Sequence, residues 1–232
     1  MCANCGLPLE AAQDVVVYPC RMCGRAFEVE SDSLVEITLR TAKISTELAV
    51  PPEVRYLAVW RFLAAVEVRT KRSGSGAEPS QTWEGIRRVA APEPAFLYVP
   101  AFALGRAVVQ QLGIALVQAQ PQLDLEEGLP REELVGLTSI ADSAASADEG
   151  WTPDAGFGTL SPVLLARRDA ESVAHFVYLA LESRSTPDLR SIDYDLALTG
   201  GDLLFLPAVF DVRHVRDSNW RFLLREFDGL VA

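Results

Sequence analysis

Several features that mark common classes of protein are scarce or lacking in this sequence of 232 residues. No stretch of about 18 residues is uninterruptedly apolar, so the sequence predicts no membrane-spanning helix and no membrane partner. The first residues, Met1 to Cys5, carry none of the charged-then-apolar pattern of a secretory leader. We therefore expect a cytoplasmic protein.

Residues and motifs typical of catalysis are also scarce. The two histidines, His175 and His214, have no sequence neighbours that would complete a nucleophile or metal constellation. Glycine-rich phosphate loops, Gly-x-Ser-x-Gly and His-Glu-x-x-His are lacking. Asp193 and Asp195 have the spacing for one face of a strand, where acid–base or hard-metal chemistry competes with a simple solvated edge. The sequence favours a non-enzymatic protein and leaves an enzyme with a site assembled from distant segments as a third hypothesis.

Positive charge is in deficit. The formal net charge is −11, which argues against a dedicated duplex-DNA binder. Residues 124–154 hold nine acidic side chains against the single Arg131, so this window alone supplies −8. It is rich in glycine, serine, alanine and proline, and we expect a surface excursion there.

Cysteine is used at one place only. The four cysteines form two pairs with two residues inside each, Cys2 with Cys5 and Cys20 with Cys23, and a glycine follows each pair. This spacing is typical of a tetrahedral metal site, because a tight turn presents both sulfurs of a pair to one ion. Glycine suits the turn since it adopts a positive φ without a Cβ clash. Four thiolates would close the coordination sphere, so we expect a structural metal.

The segment resembles the zinc-ribbon superfamily over residues 1–30. Its order is cysteine pair, strand, cysteine pair, strand, with the strands predicted over 14–18 and 26–30. The resemblance implies a structural Zn²⁺ ion. An iron site of rubredoxin type uses the same four thiolates, and two disulfides or a redox pair are further alternatives. The hairpin near residues 203–230 is similar to bacterial zinc-ribbon proteins of undefined role, some labelled replication-factor-like, and implies no activity.

The remaining residues, 31–232, predict an α+β domain that is mainly antiparallel and has two main helices. The helices are predicted over 104–120 and 169–183, the second capped by Asp169. The predicted strands cover 34–44, 56–68, 82–89, 95–99 and 162–166, followed by a hairpin of 202–215 with 220–227.

A short repeated sequence indicates an internal duplication. The tetrapeptide Trp60–Leu63 recurs at Trp220–Leu223, and the candidate repeat units are about 50–121 and 160–232. Short aromatic strand motifs also recur by chance, so this remains one of two interpretations.

One basic stretch is the second candidate site. It comprises Arg55, Trp60, Arg61, Arg69, Lys71 and Arg72. Three interpretations are open. The stretch could bind single-stranded nucleic acid, with aromatic rings stacking on bases and arginines neutralising phosphates, or it could dock an acidic protein surface. It could also be an ordinary strand whose aromatic side chains lie in the core and whose arginines face solvent. Our leading hypothesis is a protein-interaction adaptor or scaffold with a protein partner. The second is nucleic-acid binding through the N-terminal segment and residues 55–88.

Overall fold

The computed structural model describes most of the chain in twelve stretches. These are residues 1–9, 14–20, 22–30, 33–44, 54–70, 82–90, 94–102, 106–129, 160–184, 192–210, 220–224 and 230–231. The strands are β1 (Val17–Pro19), β2 (Ala26–Glu30), β3 (Ser33–Ile37), β4 (Leu39–Ala42), β5 (Arg55–Thr70), β6 (Phe96–Pro100), β7 (Leu125–Glu127), β8 (Asp193–Phe210), β9 (Trp220–Phe222) and β10 (Leu230–Val231). The helices are α1 (Trp83–Ala90), α2 (Arg106–Ala119) and α3 (Arg167–Ser183).

Strands β1, β2 and β3 form a small antiparallel sheet. With the two cysteine pairs it makes up the N-terminal module, by which we mean the described residues up to Ile37. Its apolar interior is small, with Cys2, Cys20 and Phe27 buried. A module this small cannot bury enough apolar surface to fold on its own.

The rest of the chain, the main domain, is built on one large sheet. Its order is β10-β9-β8-β4-β7, and β5 pairs with β8 on the other side and with β6. All these pairings are antiparallel except the parallel pairing of β4 with β8. The α+β class and the mainly antiparallel sheet are therefore confirmed.

The long antiparallel pair of β5 and β8 organises the core. Trp60 of β5 is fully buried, and its indole Nε1 donates a hydrogen bond to the Leu165 carbonyl at 2.7 Å. Pro207 lies near the end of β8, which is an interior strand of the sheet and not an edge strand. Its carbonyl accepts from the Leu223 N–H, and pairing with β4 ends at Phe205 while pairing with β9 begins at Ala208. The N–H that Pro207 lacks would therefore point between the end of the β4 pairing and the start of the β9 pairing.

Residues 33–42 form two strands instead of the single strand predicted over 34–44. Strand β3 belongs to the small sheet and β4 to the large one, and only Thr38 separates them. The Thr38 carbonyl accepts a hydrogen bond from the Leu203 N–H at 3.2 Å. The chain thus passes from one sheet to the other without a flexible linker.

Three local predictions are wrong. Residues 82–89 form α1 and not a strand, because the Thr82 hydroxyl and carbonyl accept the N–H groups of Gly85 and Ile86. Residues 162–166 form no regular strand, since their backbone bonds to several elements in turn. Asp169 lies in the first turn of α3 and does not cap it.

The acceptor at the start of α3 comes from the N-terminal module. The carboxylate of Glu28, on β2, accepts a hydrogen bond from the backbone N–H of Arg167 at 2.5 Å. A buried carboxylate at a helix N-terminus interacts favourably with the helix dipole. The Val16 N–H donates to the Val163 carbonyl at 2.9 Å, which adds a second link between the module and the main domain.

The helices predicted over 104–120 and 169–183 correspond to α2 and α3, and the predicted C-terminal hairpin to β8 and β9. Most of the acidic window 124–154 lies outside the described residues, although β7 falls inside it. The two copies of the repeated tetrapeptide begin on β5 and on β9, and both of these strands pair with β8. The duplication itself stays a prediction.

None of the helices in the described stretches is both long and apolar enough to cross a lipid bilayer.

Replacement of Gly113 by alanine should destabilise the protein. A Cβ at Gly113 would lie 3.0 Å from the Tyr98 carbonyl oxygen and 3.0 Å from a methyl of Val177. Alanine normally gains about 1 kcal/mol in a helix, whereas overpacking a close contact costs about 1–3 kcal/mol. We expect a net loss in the urea unfolding free energy. The exposed control Gln110→Ala on the same helix should change it by less than about 0.5 kcal/mol. A stabilised Gly113→Ala would contradict the close packing of α2.

Glu28 should make stability depend on pH. Burial raises the pKa of Glu28 above 4.5, although the Arg167 backbone hydrogen bond lowers it in part. The native state then binds this proton more tightly than the unfolded chain, so ionisation of Glu28 reduces the unfolding free energy as pH rises above 4.5.

The variant Glu28→Gln keeps an oxygen acceptor for Arg167 and removes the titration. We expect it to lose less stability than the wild type between pH ~4 and ~7, measured by urea unfolding at each pH. Identical pH profiles for the two proteins would show that Glu28 titrates as it does in the unfolded chain.

Candidate metal centre

The two cysteine pairs have the same backbone geometry. In the first, the Cys2 N–H donates to the Leu7 carbonyl at 2.7 Å and the Gly6 N–H to the Cys2 carbonyl at 2.9 Å. In the second, the Cys20 N–H donates to the Arg25 carbonyl at 2.7 Å and the Gly24 N–H to the Cys20 carbonyl at 2.8 Å. Each pair therefore closes the same tight turn, which we call a knuckle.

The glycine after each pair has the backbone conformation expected from the sequence. Gly6 has φ of 74° and Gly24 has φ of 70°. These angles lie in the left-handed region, where a residue with a Cβ is strained. Glycine therefore lets the chain turn back immediately after the second sulfur of each knuckle.

The four sulfur atoms lie together. All of them are within 4.8 Å of one another. The shortest separations join the two knuckles, with 3.6 Å between the Sγ atoms of Cys2 and Cys23 and 3.4 Å between those of Cys5 and Cys20. A tetrahedron with metal–sulfur bonds of about 2.3 Å has edges of about 3.8 Å, so the donor set fits a four-coordinate ion. All four cysteines are free thiols.

The surroundings of the sulfurs are asymmetric. Cys2 and Cys20 are buried against Phe27, whereas Cys5 is exposed and Cys23 is intermediate. Phe27, on β2, shields one side of the cluster from water. The other side meets solvent directly.

Proton affinity differs sharply within the cluster. Burial raises the pKa of Cys2, but hydrogen bonds from the N–H groups of Cys5 and Asn4 and from neighbouring thiols outweigh it, and the pKa falls to about 6. The Leu7 N–H lowers the pKa of Cys5, but the Cys20 thiol, partial desolvation and the other neighbouring thiols raise it to about 12. The metal-free cluster therefore retains protons at neutral pH, and a divalent ion would displace them to gain four thiolate ligands.

The chemistry open to this arrangement is metal binding. An ion held by all four sulfurs would have no position left for water or substrate, which is the property of a structural site. The residues thus form a cluster able to bind a metal, and they bring together two segments separated by fourteen residues in the sequence.

The described members of the basic stretch have different surroundings. Trp60 is buried in the core. Arg61 donates to Asp202 at 2.8 Å, and its guanidinium lies 4.6 Å from the centre of the Phe96 ring. Arg69 forms ion pairs with Asp193 and Asp195.

The remaining members of the basic stretch are Arg55, Lys71 and Arg72. Arg55 begins β5 and is half-buried, while Lys71 and Arg72 lie outside the described residues. The two aspartates with strand spacing, Asp193 and Asp195, are thus the ion-pair partners of Arg69.

The histidines occupy separate places. His175 is exposed on α3, with its Nδ1 3.3 Å from the Tyr194 hydroxyl oxygen. His214 lies outside the described residues.

Sequence reasoning missed two features of the N-terminal module. The first is the outer edge of β3, which pairs with no other described strand. The second is a groove of 480 Å³ between the second knuckle, the end of β3 and the end of β7. The long-range pairing of β4 with β7 creates the groove, whereas the local β2–β3 hairpin creates the edge, for which the apolar character of Val35 and Ile37 was a sequence signal.

Metal binding should be required for folding of the N-terminal module. Protein purified under reducing conditions should contain one equivalent of metal by elemental analysis. Loss of one ligand in Cys20→Ser should reduce the content severalfold and abolish hydrogen-exchange protection in β1 and β2. An ion at such a site contributes about 10–16 kcal/mol of apparent binding free energy, which a module with so small a core cannot replace.

The matched variant Met22→Ala changes a neighbouring residue that is 70% exposed and provides no ligand. It should keep the full metal content. Wild-type protein that contains neither zinc nor iron would rule out the site.

Comparison of the chain with protein-family models, with curated proteins and with solved structures found no match. The similarity to zinc ribbons accordingly rests on the two cysteine motifs and on the geometry of their sulfur cluster.

Proposed function

We propose that this chain is a non-enzymatic protein-interaction adaptor, in which a zinc-bound ribbon presents a docking surface and the main domain supports it. The observation that carries the proposal is the placement of exposed apolar side chains. Among the described residues, six of the ten large hydrophobic side chains that are exposed belong to the N-terminal module. They are Met1, Leu7, Met22, Val29, Leu34 and Val35.

Apolar exposure concentrated on one small module is typical of an interaction surface. Met22 is 70% exposed at the second knuckle and Leu7 is 41% exposed just after the first. The turn geometry of the knuckles holds both side chains in place once the ion is bound. In this proposal the metal fixes a binding surface instead of carrying out a reaction.

We assign zinc as the ion, because tetrahedral four-thiolate sites of this spacing take zinc most commonly. The same proposal places the protein in the cytoplasm, where thiols stay reduced and available to the metal.

Charge supports a protein partner over a nucleic acid. The net charge of −11 repels a phosphate backbone. Arg61 and Arg69 are engaged with Asp202, Asp193 and Asp195, and Trp60 is buried where no base can stack on it. Nucleic-acid binding through residues 55–88 therefore has less physical support than protein docking.

The test is co-purification from native lysate after mild crosslinking, followed by identification of the captured protein and direct measurement of its affinity. The double variant Leu7→Ser with Met22→Ser should bind that protein about 10-fold more weakly, because two apolar contacts are lost. A matched variant, Val89→Ser with Phe176→Ser, changes two exposed apolar residues of the main domain and should bind normally.

Failure to recover any stable partner, or equal binding by the two double variants, would contradict the adaptor function. A micromolar gel shift of single-stranded oligonucleotides that is lost in Arg61→Ala with Arg69→Ala would favour nucleic-acid binding in its place.

A further inference from the structure

The N-terminal part of β8 is an open edge of the large sheet. Residues Asp193 to Asp202 pair with β5 on one side, whereas β4 begins to pair with β8 only at Leu203. No backbone hydrogen bond joins the other side of this stretch to any described residue. An unpaired edge of this length is a template for a further strand.

The direction of the free backbone groups follows from the neighbouring ladder. The Ala64 N–H donates to the Ala95 carbonyl at 3.3 Å, on the β6 side of β5. Backbone groups alternate along a strand, so Ala65 points towards β8 and forms a hydrogen-bonded pair with its register partner Ala197. The alternate residues of β8 therefore point their N–H and C=O groups to the open side. They are Tyr194, Leu196 and Leu198.

Two glycines mark the end of the regular edge. Gly200 and Gly201 have φ of 81° and 107°, and a register shift of the ladder between β5 and β8 falls at the same place. Such a bulge interrupts regular pairing. The regular edge therefore runs from Asp193 to Thr199, and its midpoint is Leu196.

The side chains along this edge form two rows. Tyr194 faces α3, since its ring centre lies 4.7 Å from that of Tyr178. Leu196 and Leu198 lie on the same side as Tyr194 and are half-buried against the core. The opposite row is exposed and carries no large apolar side chain. It consists of Asp193, Asp195, Ala197 and Thr199.

The apolar row is complementary to itself in an antiparallel pairing centred on Leu196. With Leu196 of one protomer opposite Leu196 of a second, Tyr194 of each lies opposite Leu198 of the other. These are all residues whose backbone groups point outward, so each pair exchanges two hydrogen bonds. The pairing also uses the whole regular edge, because Leu196 is its midpoint.

The exposed row selects the same register. A two-fold axis at Leu196 sets Asp195 opposite Ala197 of the second protomer, and Asp193 opposite Thr199. An axis at Tyr194 or Asp195 would instead set carboxylates opposite each other, and like charges in that position are destabilising. An axis beyond Leu196 shortens the regular overlap. Only the axis at Leu196 avoids both penalties.

Charge near the edge is smaller than the composition suggests. Arg69, on β5, forms ion pairs with both Asp193 and Asp195. Glu67, the register partner of Asp195 on β5, lies one strand further from the open edge. The net charge of −11 repels a second copy at long range, but salt screens exposed charges beyond about 8 Å at physiological ionic strength.

We propose that the chain forms a symmetric dimer, in which β8 pairs antiparallel with β8 of a second copy and the two-fold axis passes through Leu196. The large sheets of the two protomers then form one continuous sheet. This proposal is independent of the adaptor function. For an adaptor, its consequence is that one dimer presents two N-terminal modules.

Sedimentation velocity of the metal-loaded full chain over a range of concentrations should show a monomer–dimer equilibrium. Ala197→Lys places a cation opposite Asp195 of the second protomer, on both sides of the axis, and should tighten the dimer about 5-fold. Ala197→Glu should weaken it by a similar factor. The matched variants Ala65→Lys and Ala65→Glu make the same charge changes one strand away from the axis and should have smaller effects.

A proline at the axis tests the backbone pairing. Leu196 and Val66 form a non-hydrogen-bonded pair, so Leu196→Pro removes an outward N–H without removing a bond to β5. We expect this variant to dimerise about 10-fold more weakly. Circular dichroism and metal content show whether it has folded, and the Ala197 variants provide the test if it has not.

Several outcomes would overturn the dimer. They are a wild type that stays monomeric at hundreds of micromolar, equal effects of the Ala197 and Ala65 variants, and undiminished association of folded Leu196→Pro. A monomeric wild type whose captured cellular partner is lost in Leu196→Pro would assign the edge to another protein instead.

The dimer and the adaptor function fail separately. A dimer that recovers no partner from lysate contradicts only the adaptor function, and a monomer that binds a partner contradicts only the dimer.

Discussion

The convergence of four thiol groups on one small volume is the constraint on which the N-terminal module depends. Each knuckle alone is a short turn closed by two backbone hydrogen bonds. The apolar interior around them is limited to a few side chains, of which Phe27 is the largest. Such an interior does little to offset the conformational entropy of the chain, so we expect a bound ion to supply the difference. On that expectation, the exposed surface of β2 and β3 forms only while the thiols are reduced and a metal is bound.

A buried carboxylate links this module to the main domain. Glu28 sits on the face of β2 opposite Phe27 and accepts the first free N–H of α3. Its burial is unfavourable for the ionised form, which is why its pKa is raised. The same contact satisfies a helix end that has no side-chain cap of its own. One group thus caps the start of α3 and joins the module to the rest of the chain, at a cost that varies with pH.

The parts of the structure that sequence reasoning predicted are those governed by local rules. Cysteine spacing and the glycines at positive φ predicted the knuckles, and apolar periodicity predicted α2, α3 and the long strand β5. The errors arose where distant residues decide. Residues 82–89 are an exception, because the helical spacing of Trp83 and Ile86 and the cap by Thr82 were local signals that the strand prediction missed. The start of α3 is capped by Glu28, 139 positions away, which no local pattern indicates. The candidate site on the basic stretch stays a prediction, and of its described members Trp60 is buried while Arg61 and Arg69 pair with aspartates on β8.

The passage from β3 to β4 through Thr38 has a mechanical consequence. One residue joins an edge strand of the small sheet to an interior strand of the large one, and the Thr38 carbonyl is itself bonded to β8. A flexible tether would allow a bound molecule to tumble, and immobilising it would then cost entropy. Here a molecule held on the small sheet inherits a fixed orientation relative to β8. The short connection therefore fixes both the angle and the distance between a molecule bound to the small sheet and one bound to the large sheet.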